Sequence, residues 1–292
     1  GHCRSMGKVP EAVLGAVCDI NPATAAQVGA KFNVPHFDNH IAMLKSGLCD
    51  AVIIATPHPE RPQIAIDAMR AGLHLLSEKP LTERVSTADK MIRTARQAKV
   101  AFAVMFQRRT DPVFMKAAEL VRTGALGKVM RTMLVSPEYR TQAYYDSAGW
   151  RATWQGEGGG VMLNQAPHII DQFIILGGMP SQVYGRTGTV HHRMEVEDLA
   201  EALFTYPDGG TGYLYCSTFE PRPGQMIEIY GEKGKLTYRD GRLSICTYAM
   251  PIKEHIAACK GMWESPSFTE QVVEASAGDW GHHTIIRNLA RH

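Results

Sequence analysis

The sequence predicts two domains of different class. Residues 1–107 are expected to form an α/β domain with a parallel sheet, and residues 108–292 an α+β domain with a large, mostly antiparallel open sheet. In the first part, short apolar runs alternate with helix-like stretches, which is typical of parallel strands covered by helices. In the second part, longer runs are separated by Gly, Pro and Asp, which indicates antiparallel strands. We expect both domains to be truncated, because the chain starts without methionine and stops within a helix-like stretch.

The composition is that of a globular protein and disfavours several classes of function. The 292 residues are 45% hydrophobic and 21% charged, and 31 basic against 29 acidic residues give a net charge of +2. No basic run points to nucleic acid or a membrane surface. The six cysteines show no zinc-ligand spacing and indicate reduced core thiols of a cytoplasmic protein. Neither a signal peptide nor a run of eighteen apolar residues is seen.

The elements of the first domain follow from strand-length apolar runs and the helix signals after them. Asn21 is expected to cap a helix with Pro22 at its first position, where the missing N–H costs nothing. Gly72 is expected to end another helix. The predicted strands are residues 13–18, 50–55, 74–76 and 100–106, and the predicted helices are residues 22–31, 63–71 and 86–98.

Polar residues after these strands are candidates for a cofactor site, because parallel sheets bind ligands beyond the carboxyl ends of their strands. Asp19, with Ile20 beside it, can accept hydrogen bonds from both hydroxyls of an adenosine ribose and would repel a 2′-phosphate, which favours NAD over NADP. The alternative is an aspartate that only caps the next helix. Gly1 precedes Asp19 by 18 residues and fits the last glycine of a phosphate-binding loop. The other candidates at this edge are Thr56, Pro57, His58, Glu78, Lys79 and Pro80.

The second domain is predicted from seven strand-like runs and two tight turns. Residues 207–210 and 240–241 have the Asp-Gly chemistry of hairpin turns. The predicted strands are residues 129–136, 182–187, 199–206, 212–217, 226–230, 235–239 and 243–247.

A glycine-rich turn and the helix predicted after it carry the polar residues of this domain. Glycines 158–160 permit a sharp bend and a close approach to another group. Asn164 and His168 are four residues apart and would share one helix face, and Asp171 would orient His168 from the same face. The fragment alone leaves open a turn before a core helix with one structural histidine.

The order of these motifs resembles the Gfo/Idh/MocA family of NAD(P)-dependent sugar and cyclitol oxidoreductases. The most specific parts are Glu-Lys-Pro after an apolar strand and the glycine triplet before His-x-x-Asp. The resemblance implies a Rossmann domain without its first strand, then a domain whose open sheet mediates homodimer or homotetramer contacts. The motifs are Asp19, Thr56-Pro57, Glu78-Lys79-Pro80, Trp150-Arg151, glycines 158–160, and His168 with Asp171.

The resemblance also implies roles for single residues. Lys79 is similar to the family's catalytic lysine, and His168 to the histidine that takes the carbinol proton or shares that task. Pro80 matches a cis-proline, which would aim Lys79 into the cleft. Trp150 and Arg151 resemble the pair that packs near the nicotinamide. Gln107 corresponds to a position near the carboxamide, and hydride transfer itself belongs to the cofactor.

Two departures from the family pattern change these expectations. Asn164 stands where many members carry aspartate, so an amide that cannot take a proton would orient the substrate. A histidine is usual near Arg61, and His58 and Arg61 are instead expected to face cofactor or solvent without a chemical role. The cluster before Trp150 would line a sugar pocket or form a solvated loop, and contains Arg140, Tyr144, Tyr145 and Asp146.

No metal site is predicted. The pairs His191–His192 and His282–His283 are adjacent, and adjacent side chains on a strand point to opposite faces. Neither pair has a carboxylate at an evident ligand spacing.

The favoured function is hydride transfer between NAD and a secondary alcohol of a sugar, glycoside or cyclitol. One alternative is a regulator that keeps the fold and the dinucleotide pocket without catalysis, because a fold alone does not supply function. A second is an enzyme that uses bound NAD transiently in a glycosidase-, transferase- or epimerase-type cycle. Lys79 and His168 favour catalysis.

Overall fold

A computed structural model describes residues 1–222, 224–275 and 278–292, which form two compact units. The first unit contains Gly1–Gln107, Gln155–Gly158 and Asp279–His292, and the second contains Arg108–Trp154 and Gly159–Gly278. Gln155–Gly158 and Asp279–His292 lie within the predicted range of the second domain, and the structure groups both segments with the first unit.

The helices and strands follow in chain order. Those up to residue 107 are α1 (His2–Met6), β1 (Val17–Cys18), α2 (Pro22–Phe32), β2 (His36–Phe37), α3 (His40–Leu44), β3 (Ala51–Ile54), α4 (Arg61–Arg70), β4 (His74–Ser77), α5 (Val85–Ala98) and β5 (Phe102–Val104). The later ones are α6 (Pro112–Arg122), β6 (Val129–Pro137), α7 (Gln142–Asp146), α8 (Pro167–Gly177), β7 (Gln182–Gly188), β8 (Leu199–Thr205), β9 (Thr211–Ser217), β10 (Met226–Gly231), β11 (Gly234–Arg239), β12 (Arg242–Tyr248), α9 (Ile252–Ala258), β13 (Phe268–Val272) and α10 (His282–Ala290).

The first unit contains parallel strands, as predicted. β3, β4 and β5 form one parallel sheet, and β1 pairs in parallel with β2. The predicted strand at residues 13–18 is reduced to its last two residues, which pair with a strand that was not predicted. Asn21 caps α2 as expected, accepting hydrogen bonds from the main-chain N–H groups of Ala23 and Thr24. The apolar core between α4, α5 and the sheet includes the fully buried Met69, Leu75 and Met91.

The second unit contains a mixed, mostly antiparallel sheet of eight strands in the order β13-β12-β11-β10-β6-β9-β8-β7. Only the β6–β9 pair among the described strands of this sheet is parallel. Both predicted hairpins are confirmed. Tyr206 N–H donates to Gly210 O at 2.9 Å across one turn, and Asp240 and Gly241 have φ of 48° and 75° in the other.

Two helices cover one face of this sheet. Phe114 and Ala117 of α6, and Ile169 and Phe173 of α8, are buried in a single core with the inward-facing strand residues. α6 was not predicted, although Asp111 caps it and Pro112 occupies its first position, the same signal as at α2. β13 was also not predicted.

The six cysteines are free thiols, of which Cys216 is buried and the other five are half-buried. None of the helices in the described part of the chain combines the length and hydrophobicity that a bilayer crossing requires.

Candidate active site

Lys79 follows the carboxyl end of β4, and its peptide bond to Pro80 is cis, as the resemblance implied. Its main-chain N–H donates to Glu78 Oε2 at 3.0 Å. The carbonyl groups of Lys79 and Pro80 accept hydrogen bonds from Arg61 Nη1 at 2.9 and 2.7 Å. The turn that presents Lys79 is therefore fixed through its main chain.

Glu78 lies in a group with two histidines. His2 Nε2 is 2.8 Å from Glu78 Oε1, and His282 Nε2 is 3.9 Å from the same oxygen. Burial would raise the pKa of Glu78, but the hydrogen bond and charge of His2 outweigh it and hold the pKa below its ordinary value. The ligand-type atoms of the three residues lie within 4.8 Å of one another. The His2–Glu78 hydrogen bond accounts for their proximity, and we assign no metal to the group.

Each histidine pair has a carboxylate partner that spacing along the chain did not indicate. His282 lies near Glu78, and His283 Nε2 is 2.9 Å from Asp279 Oδ2. In the other pair, His192 Nδ1 is 3.0 Å from Asp198 Oδ2. These partners could not be recognised from spacing along the chain, because a local turn or the tertiary structure places each carboxylate next to its histidine.

His58 and Arg61 do not face solvent, contrary to one part of the expectation for them. They are only 5% and 6% exposed. His58 Nδ1 donates to the carbonyl of Glu157 at 2.9 Å, since a carbonyl can only accept. Burial lowers the pKa of His58, which favours its neutral form. His58 therefore ties the segment after β3 to the segment that precedes the glycine turn.

Asp19 and Thr56 offer polar atoms that fit a bound cofactor. Asp19 Oδ1 accepts from Asn21 N–H at 2.9 Å, whereas the helix cap itself is Asn21. The alternative that Asp19 caps the helix is therefore wrong. Thr56 Oγ1 is buried and has no hydrogen-bond partner among the described residues, which is costly unless a ligand supplies one. Ile20 is 92% exposed and Pro57 is also exposed.

Glycine is required at two positions of the glycine turn, because a larger residue would clash with neighbouring atoms. Gly158 has φ of 75°, and a Cβ there would lie 2.2 Å from Glu83 Cγ. A Cβ at Gly160 would lie 1.8 Å from the carbonyl oxygen of Glu197. Glu197 then holds the next segment, because its Oε2 accepts from Gly160 N–H at 2.8 Å and its Oε1 from Met162 N–H at 3.1 Å.

The helix predicted over Asn164, His168 and Asp171 is interrupted. Val161–Gln165 forms a π-helix, Ala166 bends, and α8 begins at Pro167, which lacks the N–H that a continuous helix would use. Asn164 and His168 therefore belong to different helical segments, and the prediction of one helix that carries both residues is wrong. Both side chains are half-buried.

Asp171 pairs with Arg109. Arg109 Nε donates to Oδ2 at 2.8 Å and Nη2 to Oδ1 at 2.5 Å, a bidentate arrangement. The hydrogen bond with Asp171 raises the pKa of Arg109. That Asp171 also orients His168 stays a prediction.

The aromatic residues before the glycine turn hold Arg151 between two rings. The guanidinium carbon of Arg151 is 4.5 Å from the centroids of both Trp150 and Tyr144, and Nη1 donates to Tyr144 Oη at 2.9 Å. Trp150 remains 37% exposed. Tyr145 is different: it is buried, donates to Thr218 Oγ1 at 2.9 Å, and burial raises its pKa to about 12. Tyr145 thus packs within this loop, and its predicted contact with a sugar stays a prediction.

Several structural partners were missed by sequence reasoning. Glu197 and Asp198 are buried directly before β8, and Arg61 is buried at the start of α4. Asp198 accepts from the main-chain N–H groups of Val190, His191 and His192. The available signal was an acidic pair at the start of an apolar strand, an unfavourable place for charge unless the pair is hydrogen-bonded. Gln107 begins the 3₁₀ segment Gln107–Thr110, and its predicted cofactor contact stays a prediction.

A family model described as oxidoreductase family, NAD-binding Rossmann fold, matches residues 2–106, and a model described as GFO/IDH/MocA C-terminal domain matches residues 114–237.

Two crystal structures of WlbA dehydrogenases in complex with NADH and UDP-GlcNAcA are similar to the chain. The enzyme from Bordetella pertussis is 30% identical with a TM-score of 0.75, covering 80% of this chain and 68% of that one. The enzyme from Chromobacterium violaceum is 26% identical with a TM-score of 0.84, covering 99% and 81%.

Among curated proteins, scyllo-inositol 2-dehydrogenase (NADP(+)) IolW of Bacillus subtilis is 26% identical over 183 residues, 63% of this chain and 50% of that protein. The chain spans about half the length of several curated relatives that it matches.

Proposed function

The chain belongs to the GFO/IDH/MocA family of oxidoreductases, and on that premise we propose that it transfers hydride between a nicotinamide cofactor and a secondary alcohol of a sugar, glycoside or cyclitol. The observation that carries the proposal is the position of Lys79. It follows the carboxyl end of β4, the edge at which open parallel sheets bind ligands. The similarity to dehydrogenases solved with NADH and UDP-GlcNAcA and to an inositol dehydrogenase supports this substrate class.

In this proposal Lys79 and His168 share the proton chemistry. The nicotinamide, when bound, accepts or supplies the hydride. Lys79 hydrogen-bonds the carbinol oxygen, and His168 accepts the proton that leaves it during oxidation. Asn164 and Arg151 orient the other hydroxyls, because an amide and a guanidinium offer donors in fixed directions.

We propose NAD as the cofactor, held by Asp19 and Thr56 with contributions from Glu78, Gln107 and Trp150. The preference over NADP rests on Asp19, whose carboxylate can accept from a ribose hydroxyl and repels a phosphate. Asp19→Ser is expected to weaken NADH binding and improve NADPH binding, measured by calorimetry. An unchanged ratio of the two dissociation constants would count against this assignment.

The test of the function is a substrate screen with the full-length protein. Polyols, free sugars, glycosides and nucleotide sugars are each incubated with NAD or NADP while absorbance of the reduced nicotinamide is followed. The proposal expects turnover with at least one of these classes. Absence of turnover across all four, with binding of NAD demonstrated, would favour the non-catalytic alternative.

Two variants then test the residue assignments. Lys79→Ala and His168→Ala should each lower kcat by at least about 100-fold while NAD binding stays nearly unchanged, because each removes a proton-transfer group. Lys90→Ala, an exposed lysine on α5, is the matched control. Near-normal rates in both variants would remove the assigned mechanism.

We also propose that a second copy of the chain covers the open face of the eight-stranded sheet. Tyr184, Leu203 and Tyr213 form a row across β7, β8 and β9 on the face opposite α6 and α8, and Tyr184 and Leu203 are 79% and 57% exposed. Large exposed apolar groups side by side mark interaction surfaces. Leu203→Glu should shift the protein towards monomer in light scattering, whereas Met179→Glu, outside the sheet, should not. Equal masses for both variants would contradict the proposal.

A further inference from the structure

Asp198 orders the main chain of residues 190–192, which precede β8. Its Oδ1 accepts from the main-chain N–H of Val190 at 2.7 Å, and its Oδ2 accepts from those of His191 and His192, both at 2.9 Å. Burial would raise the pKa of Asp198, but these donors and the His192 ring outweigh burial and hold the pKa below its ordinary value. Asp198 is therefore an ionised carboxylate, which can only accept hydrogen bonds.

The ring of His192 lies between two acceptors. Its Nδ1 is 3.0 Å from Asp198 Oδ2, and its Nε2 is 3.0 Å from the main-chain carbonyl oxygen of Arg140. A carbonyl oxygen, like an ionised carboxylate, has no proton to give, so each ring nitrogen must be the donor. A ring with a proton on both nitrogens is an imidazolium. The contacts of His192 therefore fit its charged form.

The surroundings of His192 also fit a positive charge. The side chains of His192 and Asp198 are only 8% and 0% exposed, so solvent scarcely reaches the pair. Arg140 presents its carbonyl to His192, whereas its guanidinium pairs with Glu138 at 3.3 Å. The Tyr145 ring packs against the His192 ring with centroids 4.9 Å apart. The titratable or charged residues that these contacts and the chain bring to His192 are Asp198, Arg140, Tyr145, His191 and Arg193.

The same segment is attached to α7 by further hydrogen bonds. Gln142, the first residue of α7, donates from Nε2 to the carbonyl of Arg193 at 3.2 Å, and its Oε1 accepts from Arg193 N–H at 2.9 Å. Tyr144 of the same helix accepts from Arg151 Nη1 at 2.9 Å. The position of α7 therefore bears on Arg151, which is a substrate contact in the proposed function.

Loss of one ring proton would break one side of this arrangement. A neutral histidine ring has a single N–H, and an ionised carboxylate binds that N–H more strongly than a carbonyl does. The Nε2 of a neutral His192 would then direct a lone pair at the carbonyl oxygen of Arg140. The attachment of residues 140–146 to Asp198 thus depends on the protonation of His192.

We propose that His192 is a positioning residue that works as an imidazolium. It donates from both ring nitrogens and thereby holds α7, and with it Arg151, against the segment that Asp198 orders. The step from α7 to the substrate rests on the proposed role of Arg151. The double protonation of His192 does not depend on that role.

The ring protons of His192 are observed directly in the full-length protein labelled with ¹⁵N-histidine, without substrate. At pH 6 we expect two slowly exchanging ring N–H signals from His192, because both protons are buried and hydrogen-bonded, and none from the exposed His191. The signals are assigned by their loss in His192→Gln or, if that variant does not fold, by a nuclear Overhauser effect to the ring of Tyr145. One signal or none would overturn the inference.

Two substitutions separate the two contacts of the ring. The amide nitrogen of asparagine lies as many bonds from Cα as Nδ1 does, and that of glutamine as many as Nε2. His192→Asn loses the bond to Arg140 and should raise the hydrogen-exchange rate of the α7 amides about tenfold, which corresponds to the loss of one hydrogen bond. His192→Gln keeps that bond and should exchange like the unaltered protein.

His191→Asn is the matched control, because it makes the same change at the neighbouring, exposed histidine. Equal exchange of the α7 amides in His192→Asn and His191→Asn would overturn the inference.

The dependence on pH gives a readout that packing alone would not change. The ¹⁵N signal of Nε2 reports whether this nitrogen carries a proton. In the unaltered protein, we expect the α7 amides to lose protection, relative to their intrinsic exchange rates, only as Nε2 loses its proton. His192→Gln has no titrating ring and should not follow that change. Protection that persists after Nε2 has lost its proton would contradict the inference.

A kinetic readout separates this inference from the proposed function. With an active substrate, His192→Asn should raise KM several-fold and leave kcat nearly unchanged, because it displaces Arg151 and not a proton-transfer group. His192→Gln should leave both constants nearly unchanged. An unchanged KM in His192→Asn would overturn the link to Arg151. Two ring N–H signals in a protein that turns over no substrate would sustain the inference about His192 and remove the proposed function.

Discussion

The turn that carries Lys79 and the segment that leads to His168 are held by opposite chemistry. At the Lys79 turn, the buried cation Arg61 donates hydrogen bonds to several main-chain carbonyl groups. In the segment before His168, the buried carboxylate of Glu197 accepts hydrogen bonds from main-chain N–H groups at the start of the π-helix. Both side chains supply hydrogen-bond partners to polar main-chain atoms near the end of a strand or helix, where the regular hydrogen-bond pattern of that element no longer supplies them.

The difference lies in how each device responds to pH and to substitution. A guanidinium does not titrate and has five donors in a plane, so the hydrogen bonds that Arg61 gives to the Lys79 turn do not change with pH. A carboxylate can be protonated and has only acceptors while ionised. In the second region, the main chain of Gly160 also lies very close to that of Glu197. The second region is therefore the more fragile of the two.

The largest effect is expected from Gly160→Ala. The added Cβ would lie 1.8 Å from a backbone oxygen of Glu197, so one strand or the turn must move. We expect a loss of unfolding free energy on the order of 3–5 kcal/mol, measured by urea denaturation. Gly149→Ala, with no atom within 4 Å of its Cβ, should change stability little. Similar costs for both variants would show that the contact with Glu197 is not limiting.

Glu197→Ala should come next. It leaves the N–H groups of Gly160 and Met162 without their acceptors in a buried place, at a cost of about 2–4 kcal/mol. Glu197→Gln keeps one acceptor oxygen and should cost about half as much. If Glu197→Gln were as stable as the unaltered protein, the negative charge of Glu197 would not contribute to stability. The difference between Glu197 and Arg61 would then lie in their hydrogen bonds and not in their charges.

Asp198 tests the dependence on pH. Burial would raise the pKa of Asp198, but three main-chain N–H donors and His192 outweigh it and hold the pKa below its ordinary value. Its stabilising contribution is therefore present above the ordinary aspartate pKa and lost as pH falls through the lowered folded value. Asp198→Asn should cost about 2–3 kcal/mol at pH 7, and the difference should shrink below about pH 4. Urea unfolding at several pH values measures this, with the exposed Asp89→Asn as control.

The smallest effect is expected at the Arg109–Asp171 pair. The Arg109 side chain is 52% exposed, so solvent screens the pair and its coupling should be about 1 kcal/mol or less in a double-mutant cycle. The same two variants test whether Asp171 orients His168. If Asp171→Asn lowers kcat much more than Arg109→Gln does, Asp171 acts on His168. Equal effects would confine Asp171 to its ion pair.

Local signals predicted most of the fold. The Asn21–Pro22 helix start, the two Gly-containing hairpins and the strand before Glu78-Lys79-Pro80 each depend on residues that are neighbours in the chain. The missed helix α6 had a signal of this kind at Asp111–Pro112 and was open to prediction.

The site was predicted less completely, because its supports come from distant parts of the chain. Arg61 reaches the Lys79–Pro80 turn eighteen and nineteen residues away, and Glu197 reaches Gly160 across thirty-seven. Neither distance produces a periodic pattern. The helix containing His168 was predicted wrongly because a proline at position 167 is compatible with two structures. It fits a kink within one continuous helix and also the first position of a new helix, and only the packing of the folded chain decides between them.

The position of β6 between two later strands of the large sheet has a consequence for biosynthesis. β6, at the middle of the sheet, pairs with β9 and β10, whose first residues are Thr211 and Met226. A ribosome therefore completes β6 long before either neighbour exists, and the strand must wait with both edges unpaired. Apolar strands in that condition are sites of aggregation. The order of synthesis thus leaves the middle of this sheet, rather than its rim, unpaired for longest in the nascent chain.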